Sequence, residues 1–235
     1  LERIQLLSEN SVEHTVKQSN AIIRLDDGKA NALNQALIEG INISLDKAKD
    51  DAKAVVLTGR PGKFSAGVDL SVLRSGPKAA LELVTEEAKM LLKLFLHPQP
   101  VVAASTGHSM AAGAFMLLAS DTRIGSMGDF KIGLNEVSLG LPMSEFGFML
   151  ARERLSKRHF TAAIIQGQLY NPKEAIDVGF LDRLSPADAV LNTALEEAQR
   201  LLTLDASAYA YNKQVARGAL VTQVLDNLEG NILEL

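Results

Sequence analysis

The chain contains no cysteine. That excludes disulfide scaffolds, thiolate metal sites and cysteine nucleophiles together, and it fits a reducing compartment, cytoplasmic or an organelle matrix. Long apolar runs are missing too. The longest, residues 110–119, has ten residues, about half of the ~20 that a bilayer crossing needs, so no membrane partner is expected. Cationic charge is not in excess: 24 Lys and Arg stand against 28 Asp and Glu, a net charge of −4. With no densely basic stretch, no nucleic-acid partner is expected, and an anionic ligand must be met by a few local cations. The four histidines, His14, His97, His108 and His159, lack ligand spacing such as His-x-x-x-His. No Gly-x-x-x-x-Gly-Lys phosphate loop occurs, and no Gly-x-Gly-x-x-Gly follows the first apparent strand. No metal and no redox or nucleotide cofactor is therefore expected.

What is present is a chain of 235 residues, 47% hydrophobic and 22% charged, long enough to bury a sizeable core. Short apolar runs alternate with helical patterns. Residues 21–25, 54–59, 100–105 and 121–125 read as strands, the second a continuous buried type. Leu33, Leu37, Ile41 and Leu45 mark one helix. Leu81, Val84, Ala88, Leu91, Leu92 and Phe95 mark a longer one that Pro98 and Pro100 end. A turn at Gly107 and an apolar helix over residues 110–119 follow the third strand. From about Met143 the pattern is mostly helical, with Pro172 and Pro186 placed where helices start. This alternation predicts an α/β fold with a mainly parallel sheet.

Three segments carry candidate chemistry. In Phe64-Ser65-Ala66-Gly67-Val68-Asp69-Leu70, small residues at a strand-to-helix passage let a ligand approach the main chain, and free N–H groups there can bind developing negative charge. The same pattern is also what a tight turn with Asp69 as a helix cap looks like. In the segment from Gly107 through Phe115, Gly107-x-Ser109-x-Ala111 is similar to a nucleophile elbow, which makes a serine hydrolase using Ser109 an alternative. His159 is the only downstream histidine, and it stands in a basic helical stretch. The other reading of that segment is a second small-residue helix start. In Phe130 through Pro142, Glu136 stands alone among Ile132, Leu134, Val137, Leu139 and Leu141. A carboxylate dried by such neighbours has a raised pKa and suits general-base work on carbon acids; a surface loop glutamate is the plainer reading. Lys213 and Arg217, at i and i+4, share a helix face that suits a phosphate or simply solvent.

Taken together these segments resemble the crotonase (enoyl-CoA hydratase/isomerase) family. Four features coincide in order over about residues 20–220: Lys29-Ala30-Asn31-Ala32-Leu33-Asn34, the Ser65-Ala66-Gly67-Val68-Asp69 turn, the strand–Gly107–helix unit and the Glu136 segment. The resemblance implies an α/β spiral of ββα turns over residues 1–190, holding an acyl-CoA site. It implies a C-terminal helical trimerisation region over 191–235, and hence a homotrimer or dimer of trimers. It implies an oxyanion hole from the amides of Ala66 and Ala112. It places coenzyme A against Lys29, Ala30, Ala32, Leu33, Gly67, Val68, Asp69 and Leu70, with Lys213 reaching the nucleotide phosphates. Hydratases of the family use two glutamates. The first falls at Phe115 here and the second at Glu136. Residues 132–136 look like the mitochondrial Δ3,Δ2-enoyl-CoA isomerases, which work with one glutamate. The implied activity is therefore a shift of the 3-enoyl-CoA double bond to 2-trans-enoyl-CoA through Glu136, of the fatty acid β-oxidation type, with the thioester as substrate and no cofactor. A second carboxylate from Glu145, restoring hydration, is the alternative within the family.

Overall fold

A computed structural model describes residues 11–228 and the backbone of residues 4–7. Three antiparallel strands come first: β1 (Ile4–Leu7), β2 (Val12–Lys17) and β3 (Asn20–Leu25). Gln18 and Ser19, both at positive φ, form the two-residue turn between β2 and β3, a backbone twist that suits a tight hairpin. From β3 onward the large sheet is parallel and continues through β4 (Ala54–Thr58), β6 (Val101–Ser105), β8 (Thr122–Ser126) and β10 (Arg183–Ser185). A second, three-stranded parallel sheet holds β5 (Gly62–Ser65), β7 (Gly107–Met110) and β9 (Ile132–Gly133).

The chain lays one strand in the large sheet, one in the small sheet and then a helix, three times in succession. The first turn ends in α2 (Leu70–Leu73) and α3 (Pro77–Phe95), the second in α4 (Ala112–Ala119). The third ends in a 3₁₀ turn, Glu136–Leu139, and α5 (Glu145–Arg154). This is a ββα spiral, preceded by α1 (Gln35–Asp51) and followed by α6 (Pro172–Val178), α7 (Val190–Leu201) and α8 (Ala206–Asp226). The run Ala54-Val55-Val56-Leu57 is buried throughout because both sheet faces are covered. Val55 and Leu57 join the core with α1 and α3, while Ala54 and Val56 pack under Ala194, Leu195 and Ala198 of α7.

Several expectations need adjustment. Residues 107–110 form strand β7, not a turn and the start of a helix; a four-residue strand without β-branched residues forms only because β5 and β9 flank it. Pro186 opens a turn closed by Ala189 N–H donating to Pro186 O at 3.0 Å, and the helix starts at Val190. A division at residue 190 therefore separates α7 from the sheet face it covers. Residues 229–235 of the C-terminal region lie outside the described residues.

The last helix is tied to the sheet by buried charge. Lys213 Nζ donates to Asp121 Oδ2 at 2.5 Å and to the carbonyls of His97 and Gln99 at 2.7 and 2.9 Å. Arg217 Nη1 donates to Asp121 Oδ1 and to Phe95 O, both at 2.8 Å. Burial pushes the Asp121 carboxyl up, but Lys213 and Arg217 outweigh it and hold the group below its ordinary range. Removing one partner of such a cluster strands a buried charge. Lys213→Met is expected to cost about 3 kcal/mol in urea denaturation; a loss below about 1 kcal/mol, the scale of an exposed pair, contradicts this account.

Candidate active site

Two small-residue turns meet at one end of the small sheet. After β5 the chain passes Ser65, Ala66 and Gly67 alongside residues 30–33. Ala66 N–H donates to Ala30 O at 3.0 Å, Leu33 N–H to Gly67 O at 2.7 Å and Asp69 N–H to Leu33 O at 2.9 Å. Buried Asn31 staples this strip: its Nδ2 donates to Leu25 O and Phe64 O, and its Oδ1 accepts from Asp27 N–H. The Ser65 hydroxyl donates to Asn31 O at 2.7 Å. After β7 the chain turns at Ala111, whose φ of 49° is unusual for a residue with a side chain, and α4 begins at Ala112.

The two turns touch because glycine leaves room. A Cβ on Gly113 would lie 2.4 Å from Ser65 O, and one on Gly67, itself at φ +101°, would lie 2.8 Å from Ala111 Cβ. Beside this contact lies a cavity of about 330 Å³, walled by α2, α3, the start of α4, the 3₁₀ turn and the start of α5. Its lining is mainly apolar, including Leu81, Val84, Phe115, Leu141 and Phe146. Phe115 and Phe146 meet edge to face with ring centroids 5.6 Å apart.

The amide donors at this cavity differ in part from the expected pair. Ala112 is the first residue of α4, so its N–H has no partner one turn back. Ala66 lines the cavity, but its N–H is taken by Ala30 O. Among the described residues no hydrogen bond holds the Val68 N–H, and Val68 also lines the cavity. Residues 67 and 69 make the bonds to Leu33 on one side of the strip, which turns the Val68 N–H to the other. Val68 thus replaces Ala66 as the partner of Ala112: Gly67 O and Val68 N–H belong to one trans peptide unit, so the bond from Leu33 to Gly67 O leaves the Val68 N–H facing away from the strip.

Glu136 reaches the same cavity from a third segment. Ser109 N–H donates to Lys131 O and Ala111 N–H to Gly133 O, both at 3.0 Å, which fixes β9 against β7. The 3₁₀ turn begins three residues later with Glu136. The residue as a whole is half-buried, but Oε2 is buried without a hydrogen-bond partner. Burial pushes this carboxyl up to about 7. Sequence reasoning misses a second acid, Glu87 of α3, which is 4% exposed and lines the cavity. Burial, and then the charge of Glu136, push it up to about 8. The available signal was its spacing, three residues after Val84 and four before Leu91, on the apolar side of α3.

Other expected site residues are more dispersed. Leu70 lines the cavity, Lys29 is exposed, and Ala30, Ala32 and Leu33 form the strip behind Val68 without lining the cavity. Asp69 caps α2, accepting from Ser71 N–H at 2.9 Å and the Ser71 hydroxyl at 2.6 Å; that hydroxyl bond is the main reason its carboxyl lies below the ordinary range. Lys213 turns inward to Asp121 and two carbonyls, so within this chain its ammonium is not presented to a phosphate. Glu145 does not line the cavity; its neighbours Ser144 and Phe146 do. Ser109 is fully buried, with Oγ 2.8 Å from Ser105 Oγ. Among the described residues no histidine bonds to it, so the arrangement a serine nucleophile requires is not formed. Among the described residues no cluster of three or more His, Asp or Glu is placed to hold a metal ion.

Comparison with known proteins follows the same lines. The family model described as enoyl-CoA hydratase/isomerase matches residues 15–231. Mouse mitochondrial enoyl-CoA delta isomerase 1 is 29% identical over 220 residues, covering 90% of this chain and 75% of the mouse protein. A crystal structure of an enoyl-CoA hydratase/isomerase family protein from Pseudomonas syringae superposes with a TM-score of 0.90 at 36% identity, covering 96% of both chains. Human mitochondrial Δ3-Δ2-enoyl-CoA isomerase superposes with a TM-score of 0.90 at 26% identity, covering 95% of this chain and 90% of the human one. With a matched family model over nearly the whole chain and the ββα spiral in place, this protein belongs to the enoyl-CoA hydratase/isomerase family.

Proposed function

We propose that this protein is an acyl-CoA isomerase that moves the double bond of a 3-enoyl-CoA to give 2-trans-enoyl-CoA. The observation that carries the reading is Glu136: an acid with a buried, unpartnered oxygen, in the same apolar cavity as the amides of Val68 and Ala112. Glu136 takes a proton from C2. The electrons of that bond delocalise onto the thioester oxygen, which the two amides stabilise; one such donor is typically worth about 3–4 kcal/mol. The dienolate is then reprotonated at C4. In this reading Glu136 carries the proton through both halves, as the resemblance implies. Phe115, at the position of a hydratase's first glutamate, can neither hold nor activate water. The thioester supplies the electron sink, so the scheme calls for no cofactor.

The acyl tail lies between α2, α3 and the 3₁₀ turn, where Leu81, Val84 and Leu141 line the cavity. Coenzyme A follows the strip of residues 29–33 beside residues 66–70, with Lys29 exposed at its edge to meet an anionic group. Assembly as a homotrimer or dimer of trimers is part of this reading, supported by Tyr211 and Val215, large side chains exposed one turn apart on α8. Among the described residues no helix is long and apolar enough to cross a membrane. The mouse and human relatives are named as mitochondrial, and an organelle matrix or the cytoplasm suits a reaction of the fatty acid β-oxidation type.

Glu136→Gln is expected to lower kcat on 3-enoyl-CoA by about 100-fold to 10,000-fold while leaving thioester binding intact by calorimetry; near wild-type turnover contradicts the assignment. The base works as its anion and its pKa is raised, not lowered. The rate constant at low substrate, kcat/KM, which reports ionisations of the free enzyme, should therefore fall as pH drops through about 7. A profile flat down to pH 5 contradicts it.

A further inference from the structure

Glu87 has no evident structural duty. It stands on α3, where Pro77, Ala80, Leu81, Val84 and Glu87 form one stripe facing the cavity. Exposure decreases along that stripe, from exposed Pro77 through partly buried Leu81 and Val84 to Glu87 at 4%, so the acid lies at the inner end. Among the described residues no hydrogen bond or ion pair holds its side chain. Other buried charges of the molecule, Asp121 with Lys213 and Arg217, and Glu197 with Arg183 and Arg200, are paired. A buried carboxylate without a partner is costly as an anion. The group therefore keeps its proton at neutral pH, and the charge of Glu136 reinforces this. One cavity thus holds two acids whose surroundings favour one proton between them, an arrangement that separates an acid from a base.

We infer that Glu87 is a second catalytic residue, the neutral acid that gives the acyl chain its new proton at C4 after Glu136 has taken one from C2. This rests on the reading of Glu136 as the C2 base and replaces the single-carboxylate scheme in its second half. In the first half the Glu136 carboxylate takes the C2 proton. The C–H electron pair becomes the C1=C2 bond, and the carbonyl pair moves to the oxygen held by Val68 and Ala112. In the second half that oxygen reforms its double bond to C1, the C1=C2 pair shifts to C2=C3, and the C3=C4 pair takes the proton of Glu87. Glu136 is left protonated and Glu87 ionised. Transfer of one proton from Glu136 to Glu87, directly or through a water, restores the starting state. α4 brings Ala112 and Phe115 to this cavity but no carboxyl group, so the second acid comes from the adjacent helix.

The test is a single turnover of 3-enoyl-CoA with enzyme in excess, pre-equilibrated in deuterium oxide, with product analysed by mass spectrometry and NMR. Glu87 then carries deuterium, and the product is expected to hold one deuterium at C4. Glu87→Gln, with folding checked by circular dichroism, is expected to lose about 100-fold or more in kcat with KM within about threefold. It should still exchange the C2 hydrogens with solvent, a reaction that needs Glu136 alone. Protium from C2 found at C4 in the wild-type product overturns the inference, as does a Glu87→Gln enzyme that isomerises within about threefold of wild type. A hydrated product formed by wild type and lost in Glu87→Gln also overturns it, by assigning the pair to water instead of C4. A wild-type protein that leaves 3-enoyl-CoA unchanged overturns the parent reading of Glu136 and this one together.

Discussion

The site depends on the contact between two backbone turns. Where the chain leaves β5 and β7, a glycine on each side lets the main chain of one turn lie against the other, and no side chain could be added at Gly113 without striking Ser65 O. That contact brings the amides of Val68 and Ala112 to the edge of one cavity. The third strand of the small sheet, bonded to the second through Ser109 and Ala111, delivers Glu136 to the same place. Main-chain donors held this way are oriented before any ligand arrives. Donors so placed can meet developing charge without having to reorganise.

Burial then sets the chemistry of the acids. The interior around the cavity is lined by leucine, valine and phenylalanine, which offer a carboxylate nothing in place of water. Glu136 is raised to about 7 and Glu87 to about 8 by the same cause. Elsewhere in the fold the opposite solution applies: Asp121 is as deeply placed, but two cations compensate it and it stays ionised. The contrast separates a carboxylate used to fasten α8 to the sheet from carboxyls left free to exchange a proton.

Much of this is legible in the sequence. The strand of residues 54–58 is visible because it is apolar on both faces, and Glu136 because a lone acid interrupts an apolar segment. The family resemblance rests on the order of four motifs. The small sheet is not legible, because its strands are two to four residues long and exist only through each other. Nor is the choice of Val68 over Ala66, since which amide is free depends on how residues 30–33 pair beside them. Lys213 looks like a surface cation from its i, i+4 partner, yet its ammonium is drawn inward by Asp121, 92 residues away along the chain. Glu87 is masked by acidic neighbours in the sequence; Glu82 is exposed and Glu86 pairs with Lys89, so α3 reads as having an ordinary polar face.

The central claim is that a desolvated Glu136 sits poised between acid and base at neutral pH. The direct measurement is a carbon-13 NMR titration of protein labelled at the glutamate side-chain carboxyls, with the Glu136 resonance assigned by its loss in Glu136→Gln. A midpoint near pH 7 is the predicted result. A midpoint near the ordinary glutamate value of 4.5 would place that carboxyl in water and contradict the account.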